Sequence, residues 1–365
     1  MRNVTEKIAF VAVISLGFAM GAEFARADGS STSVTITPQF VHQYDGYEHI
    51  QISPNGQRMA ALHRGSIYVW DIESNTILRT LAPPGSARFA FANDGQHIRY
   101  VSVSIVNGKA TLVSGDWNLM TGDSTQKNGP VGLFVAAVVP GGKHAILGQN
   151  PMGTVHVYDL ENNKILRSFG TPPPTGTPAN QLDPRTISVL SIPTNGQFVL
   201  FQRVNGALEL WDVDKGERRY AVAGPGQVLT NKLAIAAGGA RAIYARIGND
   251  RKEVLDVVDV SAGKLLRSIS PDKVGTGGLA ISADGRTALM MQTTAKNGSV
   301  QLWNLDTGTA VPSSSVEEMC NMAMVLSYVG QEHFVCGGTN RLDLWSLKPQ
   351  RKVHSFVNEK YPVFA

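Results

Sequence analysis

The chain is poor in cysteine and in charge. Two cysteines in 365 residues exclude a disulfide-stapled scaffold and a four-cysteine zinc site. Charged residues make up 17% of the chain, below the roughly one quarter of an average protein. A formal net charge of +4 is too weak to imply nucleic acid. With 43% hydrophobic residues the chain is also unlike a disordered one. Only one uncharged apolar run stands out, Ile8 to Ala22, so a multi-span membrane protein, a collagen and a coiled coil are all excluded. What is abundant is glycine. The chain has 37, about one residue in ten against roughly 7% on average, which predicts many tight turns and short strands.

The apolar run reads as part of an address. Arg2 and Lys7 precede it, and Ala25-Arg26-Ala27 follows with the small-x-small pattern of a signal peptidase site. The run is shorter than the roughly 20 residues that span a bilayer, so residues 1–27 are expected to be a cleaved signal peptide. The mature protein, residues 28–365, is then periplasmic or secreted, without a membrane span. No cysteine follows the run that would carry a lipid anchor.

Three signatures recur along the rest. An aromatic or apolar residue followed by Asp, Asn or Ser ends a β-rich run at Trp70, Trp117, Tyr158, Trp211, Val258, Trp303 and Trp345. All 5 tryptophans fall at this one position, and consecutive copies lie 41 to 53 residues apart. Before each copy stands a short apolar strand with a Gly turn, as in IQISPNGQ (50–57), FAFANDGQ (89–96) and LAISADGR (279–286). In such a turn Gly takes the positive φ that closes the loop. After the aromatic comes a further strand: NTILRTL (75–81), NKILRSF (163–169), GKLLRSI (263–269) and QRKVHSF (350–356). Each unit is thus four strands long. One such meander cannot bury both faces alone, but seven packed radially can. The reading is all-β: a single seven-bladed β-propeller of four-stranded antiparallel sheets. The last blade takes its fourth strand from residues 352–357, with Val34 to Phe40 pairing beside it.

At these residues the sequence resembles the WD-repeat family and its bacterial, exported relatives with a YVTN-like consensus. The resemblance rests on Val69-Trp70-Asp71, Leu210-Trp211-Asp212, Leu302-Trp303-Asn304 and Leu344-Trp345-Ser346, together with the Gly turns. No Gly-His pair precedes the first strand of any unit, so the His–Asp–Ser/Thr–Trp network of WD repeats is not implied. The resemblance implies a binding scaffold. It also admits enzymes of the same architecture, lactonase-like or like the propeller subunit of quinoprotein amine dehydrogenases, with chemistry at the central channel.

The residues favour binding over catalysis. A position repeated in every unit predicts a repeated packing contact, so the aromatics are read as wedges between blades, and the Asp or Asn after each as a turn cap. The eight histidines (His42, His49, His63, His97, His144, His156, His333, His354) show no metal-binding spacing. No nucleophile elbow, P-loop, dinucleotide fingerprint or haem motif is present, so no catalytic, metal or cofactor-binding residue is assigned and no cofactor is expected. Cys320 and Cys336 are placed on the first two strands of the last blade as diagonal neighbours, with Met322 opposite Cys336. Diagonal pairs lie about 7–8 Å apart, so a disulfide and two thiols both remain open.

Loop charge supplies the binding surface. Turns between second and third strands carry Arg64, Lys109, Arg203, Arg246, Arg251, Lys252, Lys296 and Arg341, against Asp250 and Glu253. Turns on the opposite face carry Glu73, Asp123, Glu161, Asp214, Glu217 and Asp306, diluted by Lys215 and Arg218. The expected result is a basic upper rim, with Arg185 from the insertion 170–185 beside it. That insertion reads equally as a recognition loop or a tolerated decoration. The rim would attract an acidic partner or a small anion. The function expected is therefore an exported, monomeric, non-catalytic propeller that binds another protein through its loop faces. A small-anion binding module and a propeller enzyme are the alternatives.

Overall fold

In the computed structural model the described residues are 47–107, 109–148, 154–170, 187–193, 196–203, 207–222, 228–236, 239–247, 252–262, 264–271, 278–293, 298–311, 325–329, 333–337, 341–348 and 350–357. They form 28 strands in seven four-stranded antiparallel sheets. The sheets are the blades of a seven-bladed β-propeller, with no helix among the described residues. Blade 1 spans residues 47–81, blade 2 86–131, blade 3 134–170, blade 4 187–222, blade 5 228–269, blade 6 279–310 and blade 7 325–357. Within each blade the strands pair in chain order. First strands of neighbouring blades touch at six of the seven junctions, including that of blades 7 and 1. The fourth strand of blade 7, Gln350–Val357, pairs with Arg341–Leu347, as expected. Residues 1–27, the expected signal peptide, and the segment Val34 to Phe40 lie outside the described residues.

Each signature has a physical task. The Gly turn between first and second strands is the same turn in six blades. Gly56, Gly95, Gly142, Gly196, Gly239 and Gly285 have φ between 64° and 72°, and each amide donates to the carbonyl three residues earlier. The residue after the aromatic caps the next turn in all seven blades. Asp71 accepts the Ser74 amide, Asn118 that of Met120, Asp159 that of Glu161 and Asp212 that of Lys215. Asp259 accepts that of Ala262, Asn304 that of Asp306 and the Ser346 hydroxyl that of Lys348. The Ser74 amide holds the Asp71 carboxyl below its ordinary pKa, and the Ala262 amide does the same for Asp259.

The core is divided into seven apolar clusters, one per interface between blades. At each, the repeated residue faces the blade before it. Trp117 packs on Ile67 and Val69 of blade 1, Tyr158 on Val101 and Leu112 of blade 2, and Trp211 on Val157 and Phe169 of blade 3. Trp303 packs on Val257 of blade 5 and Trp345 on Leu289 and Leu302 of blade 6. Trp70 closes the ring against Leu344 and Phe356 of blade 7. Its ring meets that of Phe356 edge-on at 6.1 Å, whereas Trp211 stacks on Phe169 at 4.8 Å. Such ring pairs add about 0.5–1.5 kcal/mol beyond their buried area.

Fourth strands are the exposed edges. In blades 1, 3, 4, 5 and 7 the register slips by one residue beside the repeated position. A bulge of this kind bends the edge strand and discourages pairing with a foreign strand.

Candidate functional site

The third strand carries a second repeated position, two residues before the aromatic. It holds Glu209 in blade 4, Asp256 in blade 5 and Asp343 in blade 7, and each takes an arginine. Arg203 pairs with Glu209, Arg246 Nε lies 2.6 Å from Asp256 Oδ2, and Arg341 Nε lies 2.9 Å from Asp343 Oδ2. Hydroxyls on the fourth strand complete the pattern. Ser268 donates to Asp256 at 2.6 Å and Ser355 to Asp343 at 2.7 Å. Blade 3 has the neutral version, His156 with Ser168 at 2.7 Å. Asp256 ties second, third and fourth strands together, Glu209 joins second and third, and Asp343 joins third and fourth, a role the sequence reading missed. The signal was available, since three of the seven wedge positions have an acid two residues before them.

Blade 4 carries this furthest. Arg203 and Glu209 are 5% and 7% exposed, the Trp211 indole donates to Glu209 at 2.9 Å, and Arg203 lies 5.2 Å from the centre of the Phe201 ring. Burial pushes the Glu209 carboxyl up. The Arg203 and Trp211 hydrogen bonds more than offset that and hold it below its ordinary pKa. A buried pair this well bonded is held firmly but adds little net stability.

These pairs bear on the expected rim. Arg203 is buried, and Arg246 and Arg341 are engaged along their own blades, so their cations are shared with carboxylates rather than presented alone. Arg64 is exposed in the turn between second and third strands of blade 1 with φ 48°, and Lys109 and Lys252 are exposed on the same face. Arg185, Arg251 and Lys296 lie outside the described residues, as does most of the insertion after Gly170.

The opposite face uses its cations as ties between blades. Arg58 donates to the Gly95 carbonyl at 2.8 Å, Arg99 to that of Gly142 at 3.3 Å and Arg241 to that of Gly285 at 3.2 Å. In each case a blade grips the Gly turn of the next. The fourth strands do likewise. Arg79 reaches the Met120 carbonyl at 3.0 Å, Lys127 that of Glu161 at 3.0 Å and Arg267 that of Asp306 at 2.7 Å. This gives the arginine of ILR in blade 1 and of LLR in blade 5 a structural task.

Around the channel, His49 stands at a bulge of the first strand of blade 1, with φ 34°. Its Nε2 donates to the Phe89 carbonyl of blade 2 at 2.8 Å, and its ring meets Phe89 edge-on at 4.8 Å. Enclosure between the two strands lowers its pKa to about 4, so it is neutral near pH 7. It is a strut between blades. His42 lies outside the described residues, and no group of three or more His, Cys, Asp or Glu gathers among the described ones.

The cysteine geometry corrects the sequence reading. Cys336 pairs with Leu326, not Met322, because the hairpin turns between Val329 and His333. Cys336 is 2% exposed and disulfide-bonded; Cys320, the one other cysteine, lies outside the described residues.

Two clefts open between blades on the tied face. The smaller, about 250 Å³, lies between blades 2 and 3 and is lined by Arg99, Asp116, Lys127 and Glu161 among others. The larger, about 740 Å³, lies between blades 4 and 5 and is lined by Phe198, Leu210, Val260, Gly239 and Ala240, with Glu217, Arg218, Arg219 and Ser261. No family model matches the chain, and no curated protein matches it either.

Proposed function

We propose that the protein is an exported, non-catalytic β-propeller that binds another protein, using the ring as a rigid scaffold. The observation that carries this reading is a set of apolar side chains presented to water at one repeat position. Ile77 and Leu78 in blade 1, Ile165 and Leu166 in blade 3, and Leu265 and Leu266 in blade 5 are 37–49% exposed. Each pair sits at the fourth-strand bulge, which turns two consecutive apolar residues outward. Adjacent exposed apolar side chains are the kind of surface that a protein partner covers. The loop faces add polar contacts, with Arg64, Lys109 and Lys252 on the upper rim.

The test is capture of partners from the protein's own exported proteome at low and high salt. It should be run beside a variant carrying Leu78→Glu, Leu166→Glu and Leu266→Glu. The expected result is a protein partner kept by the wild type and lost by the variant, with equal thermal midpoints. Recovery of a metabolite alone, or a partner unaffected by the substitutions, overturns the reading.

A further inference from the structure

The interface between blades 4 and 5 lacks the aromatic wedge of the other six and both arginine ties that blades 1 and 5 make to their next blades. Of the seven wedge positions, only that of blade 5 is not aromatic: it is Val258. At other interfaces the ring leans on the residue just before the wedge position of the preceding blade, as Trp211 does on Val157, Trp303 on Val257 and Trp70 on Leu344. In blade 4 that residue is Leu210, and it lines the larger cleft. Both arginine ties are replaced as well. The strand position of Arg58 and Arg241, paired with the Asp after the wedge, holds Phe198 in blade 4. The fourth-strand position of Arg79 and Arg267 holds Tyr220. Beside these positions lies an opening of about 740 Å³, within the range of small-molecule sites.

Its lining is two-sided. Phe198, Leu210 and Val260 supply apolar walls. Arg218 and Arg219 line it with Glu217 as the one carboxylate, and Glu217 lies 3.7 Å from Arg219 in an exposed pair. Two guanidinium groups against one carboxylate leave a positive balance. A bare inorganic anion would leave the apolar walls facing water, and a neutral ring would leave the guanidinium groups without an anion.

We propose that this cleft binds a small aromatic carboxylate, its ring lying beside the wedge position where five other interfaces hold an indole and its carboxylate meeting Arg218 and Arg219. Guanidinium groups suit this task because their planar fork matches a carboxylate. The proposal is independent of the protein-binding reading, which concerns the outer strands and the upper rim.

The test is calorimetric titration of the purified protein with indole-3-acetate, with indole and inorganic phosphate as controls. Saturable binding of indole-3-acetate is expected, with indole and phosphate each at least tenfold weaker. The exposed charge reversal R218E/R219E should weaken indole-3-acetate at least tenfold while leaving the circular dichroism spectrum unchanged. Val258→Trp, which restores the repeat's own residue, should abolish binding and keep or raise the thermal midpoint. Should that variant fail to fold, the charge reversal decides. No saturable binding at millimolar indole-3-acetate, or an affinity untouched by R218E/R219E, overturns the proposal.

Discussion

At the scale of single residues, the wedges carry most of the packing. Trp117 is 2% exposed and touches both faces of an interface. Trp117→Ala removes its ring from a close-packed cluster and is expected to cost about 3–5 kcal/mol, read as a lower midpoint in urea. The Arg203–Glu209 pair behaves differently. Glu209→Gln leaves a buried guanidinium without its counter-charge and should cost about 3–5 kcal/mol. Replacing both residues by apolar ones of similar volume should cost much less. Equal losses in the single and double variants would show that the pair contributes through something other than mutual compensation. His49 sets the acid response. Its pKa is lowered from 6.5 to about 4 in the fold, so the unfolded chain binds the proton more readily. Its contribution is complete above pH 6.5 and fades as pH falls toward 4, by at most about 3 kcal/mol. Asp71 and Asp259, held below 3.8, lose their contributions at still lower pH. His49→Gln should flatten the fall of melting temperature between pH 6.5 and 4; an unchanged profile would remove His49 as its cause.

At the scale of strands and turns, one glycine shows how tightly blades meet. Gly85 enters blade 2 with φ 74°, and a β-carbon there would lie 2.0 Å from the Val103 carbonyl oxygen. Both strain and collision oppose any side chain. Gly85→Ala is expected to lose at least the 1–3 kcal/mol typical of a backbone held in a sparse region, measured by chemical denaturation. The fourth strands show the opposite tolerance. Arg267 is exposed and donates to a carbonyl of the next blade, so Arg267→Ala should cost no more than about 1 kcal/mol. The bulged fourth strands explain a feature that periodicity alone obscures. The repeated ILR was legible as a motif, yet alternation cannot tell which of its two apolar residues faces the core. The bulge answers that neither does.

At the scale of the whole molecule, each interface is a separate cluster, and the ring makes every blade a neighbour of two others. Ending the chain after Ala310 removes blade 7 and uncovers apolar faces on blades 6 and 1. The expected outcome is aggregation on size-exclusion chromatography and loss of a cooperative thermal transition. A monomer that still melts cooperatively would show that the blades stand without closure. Closure also explains how a small core can be spread over seven places. Each blade alone is a marginal meander, and each becomes stable only when both faces are covered.

Much of this architecture was written in local pattern. A Gly turn, an aromatic with its capping Asp or Asn, and a bulged outer strand are short-range features, so their recurrence in Trp70, Trp211 and Trp303 determined the blade count and the propeller. Val258 as the one non-aromatic wedge was equally visible. Its consequence was not, because a cleft depends on Phe198 and Tyr220 arriving from the neighbouring blade. Only the tertiary structure decided that Arg203, Arg246 and Arg341 meet carboxylates, or that Cys336 pairs in register with Leu326. Registers and ion pairs between strands are set by three-dimensional adjacency, and charge counted along a chain carries no record of which opposite charge lies across the sheet.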